Sequence, residues 1–274
     1  MELSDRVALV TGASAGIGTA TARRLANAGF VVYAAARRED RLAEIATERI
    51  RPLALDVTDE ASMTSGVNAI LAEQGRIDVL VNNAGYGSYG AIEEVPQGEA
   101  RRQIEVNLFG LVRLAQLVLP TMRAQGSGTI LNVTSIGGKL TTPFGGWYHA
   151  SKFAVEGLSD ALRSEVAPFG VNVVVIEPGG IKTEWSGIAS TNLEAVSGSG
   201  PYAERAQRVL RALNGSVADR ASDPDVVARA IERAVNAKRP KTRYAIGFLA
   251  KPSLFARKVL PDRAFDFVQE RALG

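Results

Sequence analysis

The chain has 274 residues, of which 46% are hydrophobic, and its formal net charge is +3. It has no cysteine and one histidine, which excludes disulfide bonds, thiolate metal sites, a cysteine nucleophile and a histidine-rich metal centre. No basic run with interleaved aromatic residues indicates nucleic-acid binding. We therefore expect one globular α/β domain over residues 1–274, with no metal ion and no nucleic-acid partner.

Short β-branched runs alternate with helical patterns through most of the chain. The runs predict strands at 6–10, 30–35, 52–55, 79–81, 129–133, 171–176 and 243–246, and their nearly continuous apolar character is typical of strands buried on both faces. The intervening patterns predict helices at 16–28, 40–48, 60–74, 99–124, 148–167 and 223–237. Because these helices join successive strands, we expect a parallel sheet with helices on both sides.

The pattern changes after Thr183. Residues 184–218 are at first polar and rich in Gly, Ser and Asn and then become helical, which predicts a substrate lid or a disordered loop. Residues 247–274 mix apolar and basic side chains at near-helical spacing. They predict a helical tail that packs on the body, on a partner subunit or on a membrane surface.

Targeting and membrane segments are not expected. The N-terminus runs directly into an apolar strand, without the features of a signal peptide. The longest apolar run, residues 108–120, is interrupted by Arg113, so we expect no transmembrane helix. A soluble, cytoplasmic protein without integral membrane association is the prediction.

A glycine-rich segment, TGASAGIG at residues 11–18, lies between the first predicted strand and the first predicted helix. Glycine at positions 12, 16 and 18 permits a tight turn and close approach of a phosphate to the backbone. The helix N-terminus that follows presents unpaired N–H groups and a positive dipole end to anions. The segment therefore predicts a pyrophosphate site for a dinucleotide.

The end of the second strand distinguishes the two nicotinamide dinucleotides. An NAD site usually has an acidic residue here that bonds the ribose 2′-hydroxyl, whereas this chain has Ala36 followed by Arg37 and Arg38. A guanidinium binds a 2′-phosphate, which a carboxylate would repel. We therefore predict NADP(H) as the preferred cofactor and NAD(H) as the alternative; the other interpretation is that both arginines merely begin a solvated helix.

Two more strand ends carry polar residues. Asp56 follows the third strand, where it either reaches an adenine edge or caps a turn. The NNAG motif at residues 82–85 closes the fourth strand. Its Ala84 and Gly85 leave room for a ribose, because ligands of such sheets lie beyond the carboxyl ends of the strands.

Tyr148 and Lys152 stand four residues apart on one predicted helix and therefore share a face. Both side chains titrate near pH ~10 in water, so neither alone suits neutral acid–base chemistry. A nearby ammonium favours the phenolate, so we expect a lowered tyrosine pKa in this pair. Ser135 follows the fifth strand, where its hydroxyl would bond a substrate carbonyl beside Tyr148.

In this order, TGASAGIG, NNAG, Ser135 and YHASK at 148–152 resemble the short-chain dehydrogenase/reductase family, and the resemblance extends through EPGGIKT at 177–183. It implies a Rossmann-like doubly wound fold with strand order 3-2-1-4-5-6-7. It also implies hydride transfer to or from nicotinamide by a tetrad of Asn107, Ser135, Tyr148 and Lys152. In that tetrad the tyrosine is the acid–base, the serine orients the carbonyl, the lysine bonds the nicotinamide ribose, and the asparagine helps to hold a water-linked proton path.

The predicted binding residues come from the same motifs. The expected cofactor contacts are Gly12, Ser14, Gly16, Ile17, Gly18, Arg37, Arg38, Asp56, Val57, Asn83, Ala84, Gly85, Tyr148, Lys152, Pro178, Gly179, Ile181 and Thr183. The expected substrate contacts are Ser135, Gly137, Leu140, Phe144, Tyr148 and Trp185. Because most of the latter are apolar, we expect a largely apolar ketone, aldehyde or alcohol. The segment NNAGYGSYGAIEE and the tail resemble the bacterial hydroxysteroid- or retinol-dehydrogenase-like branch, which does not specify the substrate.

Other functions remain as alternatives. A regulator that senses NADP without turnover would retain the cofactor motifs but would not need Tyr148 or Lys152. A sugar-nucleotide epimerase uses a related tyrosine–lysine pair but normally needs a larger C-terminal substrate domain. His149 points roughly 100° away from Tyr148 around the helix, so we expect a structural or subunit-facing role for it. The family resemblance also implies a homodimer or homotetramer built on helices 99–124 and 148–167.

Overall fold

A computed structural model describes residues 6–215 and 219–273. Its strands are β1 (Val7–Thr11), β2 (Val31–Ala36), β3 (Ile50–Ala54), β4 (Val79–Asn82), β5 (Gly128–Val133), β6 (Val171–Pro178) and β7 (Arg243–Ile246). They form one parallel sheet in the order β3-β2-β1-β4-β5-β6-β7. The predicted doubly wound Rossmann-like fold and its strand order are confirmed.

The described helices lie on both faces of this sheet. They are α1 (Gly16–Asn27), α2 (Glu39–Ala43), α3 (Glu60–Gln74), α4 (Gln97–Ile104), α5 (Gly110–Gln125), α6 (Gly146–Val166), α7 (Trp185–Ser197), α8 (Ala203–Asn214), α9 (Asp225–Asn236), α10 (Ala250–Val259) and α11 (Asp262–Leu273). A π-helical turn, Glu105–Phe109, joins α4 to α5. Most boundaries lie within two residues of the predicted ones.

The apolar core has two layers because side chains alternate across each central strand. Val10 and Val32 belong to the layer that includes Leu25 of α1 and Ile231 of α9. Their neighbours along the strands face the opposite layer, which packs on α3 and α5. Both faces of β1 and β2 are therefore buried, as the continuous apolar runs predict. The edge strand β3 differs, since only Ile50 is buried and the residues after it alternate between half-buried and exposed positions.

Two predicted elements need correction. The helix predicted at 40–48 ends at Ala43, because the Ile45 and Ala46 amides bond three residues back and the Thr47 hydroxyl accepts from the Ile50 amide at 3.0 Å. The segment after Thr183, read as a polar loop before it turns helical, is instead helical at once as α7. Ala189 and Leu193 share one face of α7 and are buried against α8, which stabilises this helix despite its polar composition. Residues 216–218 of the predicted lid lie outside the described residues.

One continuous helical stretch, Gln97–Gln125, is long and apolar enough by length and composition to cross a membrane. On one side of it, Leu114, Val118 and Met122 are fully buried in the core layer beneath the sheet. Core packing therefore accounts for the apolar character of this face. The expected absence of a transmembrane helix stays a prediction.

Candidate active site

Two glycines of the loop after β1 leave no room for a Cβ atom. Gly12 and Gly16 have φ angles of +64° and +54°, a region that favours glycine. A Cβ on Gly12 would lie 2.9 Å from the Ala84 Cα, and one on Gly16 would lie 2.9 Å from the Thr183 methyl carbon. Helix α1 begins after Ala15 without a side-chain cap and without an acidic residue in its first turn. Its first N–H groups therefore suit an anion such as a pyrophosphate.

The NNAG motif is bonded to this loop. The Asn83 amide nitrogen Nδ2 donates to the Thr11 carbonyl at 2.9 Å, and the Thr11 hydroxyl accepts from the backbone N–H groups of Asn83 and Ala84, each at 3.0 Å. Gly85 then passes close to the reactive residues, since a Cβ there would lie 3.1 Å from Asn107 Oδ1 and 3.5 Å from Lys152 Nζ. The end of β4 thus connects the glycine loop to Asn107 and Lys152.

The arginines after β2 have different surroundings. The Arg38 guanidinium donates to the Ser14 hydroxyl at 3.0 and 3.1 Å and to Glu184 at 3.0 Å. Arg41, which the sequence interpretation missed, also donates to Glu184, at 2.9 Å. The Arg37 side chain is 65% exposed, and its nearest described carboxylate is Asp56 at 3.9 Å. Of the two predicted arginines, Arg37 therefore makes the weaker contacts with other side chains.

Asp56 occupies a turn. Its Oδ1 accepts from the Thr58 backbone N–H at 2.9 Å and from the Thr58 hydroxyl at 2.8 Å. The N-cap of α3 is Asp59 instead, whose carboxylate accepts from two backbone N–H groups. One Asp56 oxygen therefore holds this turn and the second faces Arg37, while the predicted contact with an adenine edge stays a prediction. The adjacent Val57 is buried in the core.

The segment after β6 lies against the glycine loop. The Gly179 amide bonds the Ile246 carbonyl at 2.8 Å, and Ile181 bridges to Ser222. The Ser135 hydroxyl donates to the Pro178 carbonyl at 3.4 Å, and Thr183, further along this segment, lies beside Gly16. The predicted residues of EPGGIKT therefore converge on the same edge of the sheet as the loop. Ile17, in the first turn of α1, packs against the core there.

Ser135 lies beside Tyr148, because at Gly137, two residues further on, a Cβ would lie 3.2 Å from the Tyr148 ring. Ser135 Oγ accepts from the Gly137 amide at 3.0 Å, which fixes the hydroxyl in place. Burial raises the pKa of Tyr148, and the Ser135 hydroxyl opposes this shift only in part. The sequence argument expected a lowered pKa, but in this arrangement desolvation outweighs it.

Lys152 is buried one turn along α6. Its Nζ donates to the Val133 carbonyl at 3.0 Å and lies 5.9 Å from the centre of the Tyr148 ring. Burial lowers the pKa of Lys152 to about 8, and the nearby Glu156 carboxylate partly counteracts that shift. The predicted common face of Tyr148 and Lys152 is thus present, at the carboxyl end of β5.

Asn107 lies in the π-helical turn and is buried. Its Nδ2 donates to the Tyr86 carbonyl and to the Ser151 hydroxyl, both at 3.0 Å, and its Oδ1 accepts from the Tyr86 amide at 3.0 Å. Ser151 in turn donates to the Tyr148 carbonyl at 2.6 Å. Ser151, which the sequence interpretation missed, therefore joins Asn107 to the backbone of α6 at Tyr148. Its position within YHASK was the available signal.

His149 has a structural position. Its Nε2 accepts from the Thr142 amide at 3.0 Å, so its Nδ1 carries the proton and donates to the Gly137 carbonyl at 3.0 Å. Burial lowers the pKa of His149, which favours this neutral form. The ring holds residues 137–142 against α6, where Gly137 comes close to Tyr148.

An apolar cluster surrounds the tyrosine. The Trp185 ring centre lies 5.1 Å from that of Tyr148 and 5.6 Å from that of Tyr89, and Phe144 belongs to the same cluster. The structure thus brings together two predicted substrate residues, Phe144 and Trp185. Leu140 is buried but outside this cluster. Tyr89, a few residues past NNAG, is an additional member.

Comparison with known proteins agrees with this geometry. A family model described as short chain dehydrogenase matches residues 6–193. The chain is 37% identical over 268 residues to a 3-ketodihydrosphingosine reductase from Bacteroides thetaiotaomicron, with 97% of each protein covered. It is 35% identical over 276 residues to an NADPH-dependent 3-dehydrocapnine reductase from Ornithobacterium rhinotracheale, with 95% of each covered. The chain belongs to the short-chain dehydrogenase family.

A solved structure supports the same assignment. The short-chain dehydrogenase from Streptomyces avermitilis is 35% identical and matches with a TM-score of 0.82, covering 97% of this chain and 96% of that one. The protein is an oxidoreductase that depends on NADP or NAD, as its motifs predict. The finer resemblance to the hydroxysteroid- or retinol-dehydrogenase-like branch stays a prediction.

Behind the catalytic helix of this dehydrogenase lies a charged network that the sequence interpretation missed. Glu156, one turn beyond Lys152, accepts from the Thr134 hydroxyl at 2.8 Å and pairs with Lys139 at 2.9 Å and with Arg243 at 3.1 Å. Glu177 at the end of β6 lies 3.6 Å from Arg243. Burial and the neighbouring Glu156 raise the pKa of Glu177 to about 7. No local pattern marks this network, because its members come from five separate segments.

Proposed function

We propose that the protein interconverts a carbonyl and an alcohol on a largely apolar small molecule, with NADP(H) as preferred cofactor and Asn107, Ser135, Tyr148 and Lys152 as catalytic tetrad. One observation carries the proposal. Ser135 lies beside Tyr148, whose pKa its hydroxyl lowers, and Lys152 shares the helical face of Tyr148 at the sheet edge where the glycine loop and NNAG converge. Pairing of a proton donor with a carbonyl-orienting hydroxyl is what carbonyl reduction requires.

Each side chain has a distinct role in this proposal. A bound nicotinamide supplies or accepts the hydride. Tyr148 gives its hydroxyl proton to the carbonyl oxygen during reduction and takes it back during oxidation, while Ser135 donates a hydrogen bond to the same oxygen. The Lys152 ammonium favours the phenolate and bonds the nicotinamide ribose. Asn107 fixes Ser151 and the loop at Tyr86, so it holds the catalytic helix in register.

The surroundings of Tyr148 favour an apolar substrate. The aromatic rings of Tyr89, Phe144 and Trp185 belong to the apolar cluster around Tyr148. The cation of the loop after β5, Lys139, is already paired with Glu156. A phosphate or carboxylate on the substrate would therefore find no free positive partner among these residues. The name of the Bacteroides relative denotes reduction of a sphingoid lipid ketone, which supports an apolar ketone here.

NADP(H) fits the loop after β2. Arg37 is largely exposed and free to turn, and Arg38 already bonds Ser14 of the glycine loop. Guanidinium groups and a serine hydroxyl form a suitable site for a 2′-phosphate, and no acidic residue follows β2 directly to bond a 2′-hydroxyl. The Ornithobacterium relative is named as NADPH-dependent, which supports the same preference. A regulator without turnover is not favoured, because both named relatives are reductases.

We also propose a homodimer or homotetramer in the cytoplasm. Phe109 in the π-helical turn and Phe153 on α6 are exposed, and they lie on the two helices predicted to form the interface. Apolar side chains of this size are stabilised when a partner covers them. Light scattering at micromolar concentration tests this proposal; a monomer would contradict it.

The decisive experiment is NADPH oxidation across a panel of apolar ketones, aldehydes and quinones, followed by Tyr148→Phe. We expect turnover by the parent and a loss of at least about 100-fold in kcat for the variant, with NADPH binding retained. Tyr33→Phe is the matched control, because it removes the hydroxyl of another buried tyrosine, bonded to Glu73 far from the site. Silence of the parent across the panel, or full activity of Tyr148→Phe, would refute the proposal.

A further inference from the structure

The C-terminal helices α10 and α11 expose an unusual share of large apolar side chains. Ten such side chains are exposed in the described residues, and five of them lie in residues 249–268: Leu249, Phe255, Val259, Phe267 and Val268. Phe255 and Phe267 are 67% and 64% exposed. An apolar surface of this kind on a protein usually marks an interaction site.

The helices are nonetheless anchored to the body. Phe265 is buried, and the Arg257 guanidinium lies 5.4 Å from the centre of its ring and 2.9 Å from Asp262. Glu270 pairs with Arg205 of α8, and Gln269 donates to the Thr141 carbonyl. The outward apolar side chains are therefore held in a folded arrangement.

Basic residues accompany the exposed phenylalanines. On α10, Lys251 lies four residues before Phe255 and Lys258 lies three residues after it, so the two cations flank the phenylalanine on one exposed face. Helix α10 carries three basic residues and no acidic one. On α11, Arg263 and Arg271 flank Phe267 at spacings of four residues, and both are exposed. Apolar side chains between exposed cations are typical of helices that lie in the interface of an anionic membrane.

This surface also borders the candidate active site. Thr141 belongs to the segment that His149 holds beside Tyr148, and Arg205 lies on α8, which packs against α7 and Trp185. The helices thus connect to both segments that flank the substrate cluster. Docking there would place the opening of the site at a lipid surface.

We propose that α10 and α11 form a docking surface for anionic lipid membranes, with Phe255 and Phe267 inserted and the flanking cations contacting lipid phosphates. Docking itself is independent of the proposed reaction, whereas its benefit, direct access to a membrane-dissolved ketone, rests on the proposed function. The charge of this surface favours a membrane over a second copy. Of the three carboxylates of α11, Asp262 pairs with Arg257 and Glu270 pairs with Arg205, which leaves Asp266 alone against the cations that flank the phenylalanines.

Co-sedimentation of the full-length protein with vesicles tests the proposal without any turnover. We expect binding to phosphatidylcholine vesicles that contain about one fifth phosphatidylserine, and binding at least about tenfold weaker to pure phosphatidylcholine. Phe255→Ser/Phe267→Ser should lower binding to the anionic vesicles by about tenfold or more. Phe169→Ser is the matched control, because Phe169 is also exposed but lies at the amino end of β6, whereas the candidate site lies at the carboxyl ends of the strands.

A second variant keeps the test informative. Lys251→Glu/Lys258→Glu should abolish the preference for phosphatidylserine while the unfolding temperature stays close to that of the parent. NADPH oxidation with a water-soluble ketone, measured without vesicles, reports the reaction separately and should be unchanged in all variants. A parent that binds no vesicles would overturn the proposal. Unchanged vesicle binding by the double serine variant would also overturn it. If the parent binds no vesicles and the double serine variant changes from oligomer to monomer, the surface is a subunit interface instead.

Discussion

The carboxylate of Glu184 accepts a hydrogen bond from the Arg38 guanidinium at 3.0 Å, directly beside the Ser14 hydroxyl. Its other oxygen accepts from Arg41 at 2.9 Å. Glu184 immediately precedes α7, whose first residue, Trp185, packs on Tyr148. Glu184, the first residue of the predicted lid, therefore pairs with Arg38, which we propose as a contact of the 2′-phosphate.

Glu184→Gln should strengthen NADPH binding, because a neutral amide competes less with the 2′-phosphate for Arg38. We expect a Kd for NADPH lower by roughly three- to tenfold, with little change for NADH, which lacks that phosphate. Fluorescence titration with both cofactors measures the difference. Glu44→Gln removes a nearby exposed charge that forms no ion pair among the described residues and should leave both values unchanged. Equal gains for NADPH and NADH would argue against competition at the phosphate site.

Arg37→Ala should remove most of the preference for NADPH. The parent is expected to bind NADPH more tightly than NADH, and loss of this exposed guanidinium should raise the Kd for NADPH by about ten- to 100-fold. Arg23→Ala, an exposed arginine on α1, is the control. If the parent binds both cofactors equally, the assignment of NADP(H) fails.

Lys152→Met should show how much the buried ammonium costs the fold. The pKa of Lys152 falls from 10.5 to about 8 on burial, so the folded state releases its proton first as pH rises. The buried ammonium therefore lowers the free energy of unfolding by its full amount below pH about 8. This cost disappears as the pH rises to the unfolded-state pKa of Lys152, a change of about 3 kcal/mol. The stability gained by Lys152→Met over the parent should be larger near pH ~7 than near pH ~10. Chemical denaturation at both pH values measures it, with exposed Lys258→Met as control; a pH-independent difference would contradict the buried charge.

Glu177→Gln should change stability in the opposite direction with pH. The pKa of Glu177 rises from 4.5 to about 7, so the folded state keeps its proton longer than the unfolded chain. The stability from this group is full below about 4.5 and is lost as pH rises through about 7. Relative to the parent, the free energy of unfolding of Glu177→Gln should rise by about 1–3 kcal/mol between pH ~5 and pH ~8. The exposed Glu165→Gln should show no such rise. A flat difference would show that Arg243 and Lys139 already compensate the ionised carboxylate.

Much of the fold follows from local sequence patterns. The apolar runs of β1, β2 and β6 bury both faces of a central strand, and the crossover helices between them leave a parallel arrangement as the expected one. The glycine loop and the spacing of Tyr148 and Lys152 are local as well. A helix turn fixes which side chains share a face, and a positive φ favours glycine.

Other features depend on which segments meet in space. Composition predicts a polar loop after Thr183, but burial of Ala189 and Leu193 against α8 makes α7 a helix. Spacing brings Lys152 near Tyr148, but only the surrounding structure removes water and raises the tyrosine pKa.

The sequence by itself therefore determined the sheet, the phosphate loop and the reactive helix, because these depend on neighbours within a few residues. The tertiary structure alone decided the pairing of Glu184 with Arg38, the Glu156–Glu177 network and the position of α10 and α11 beside the site. Those contacts join residues far apart in the chain, where no local periodicity constrains the partner.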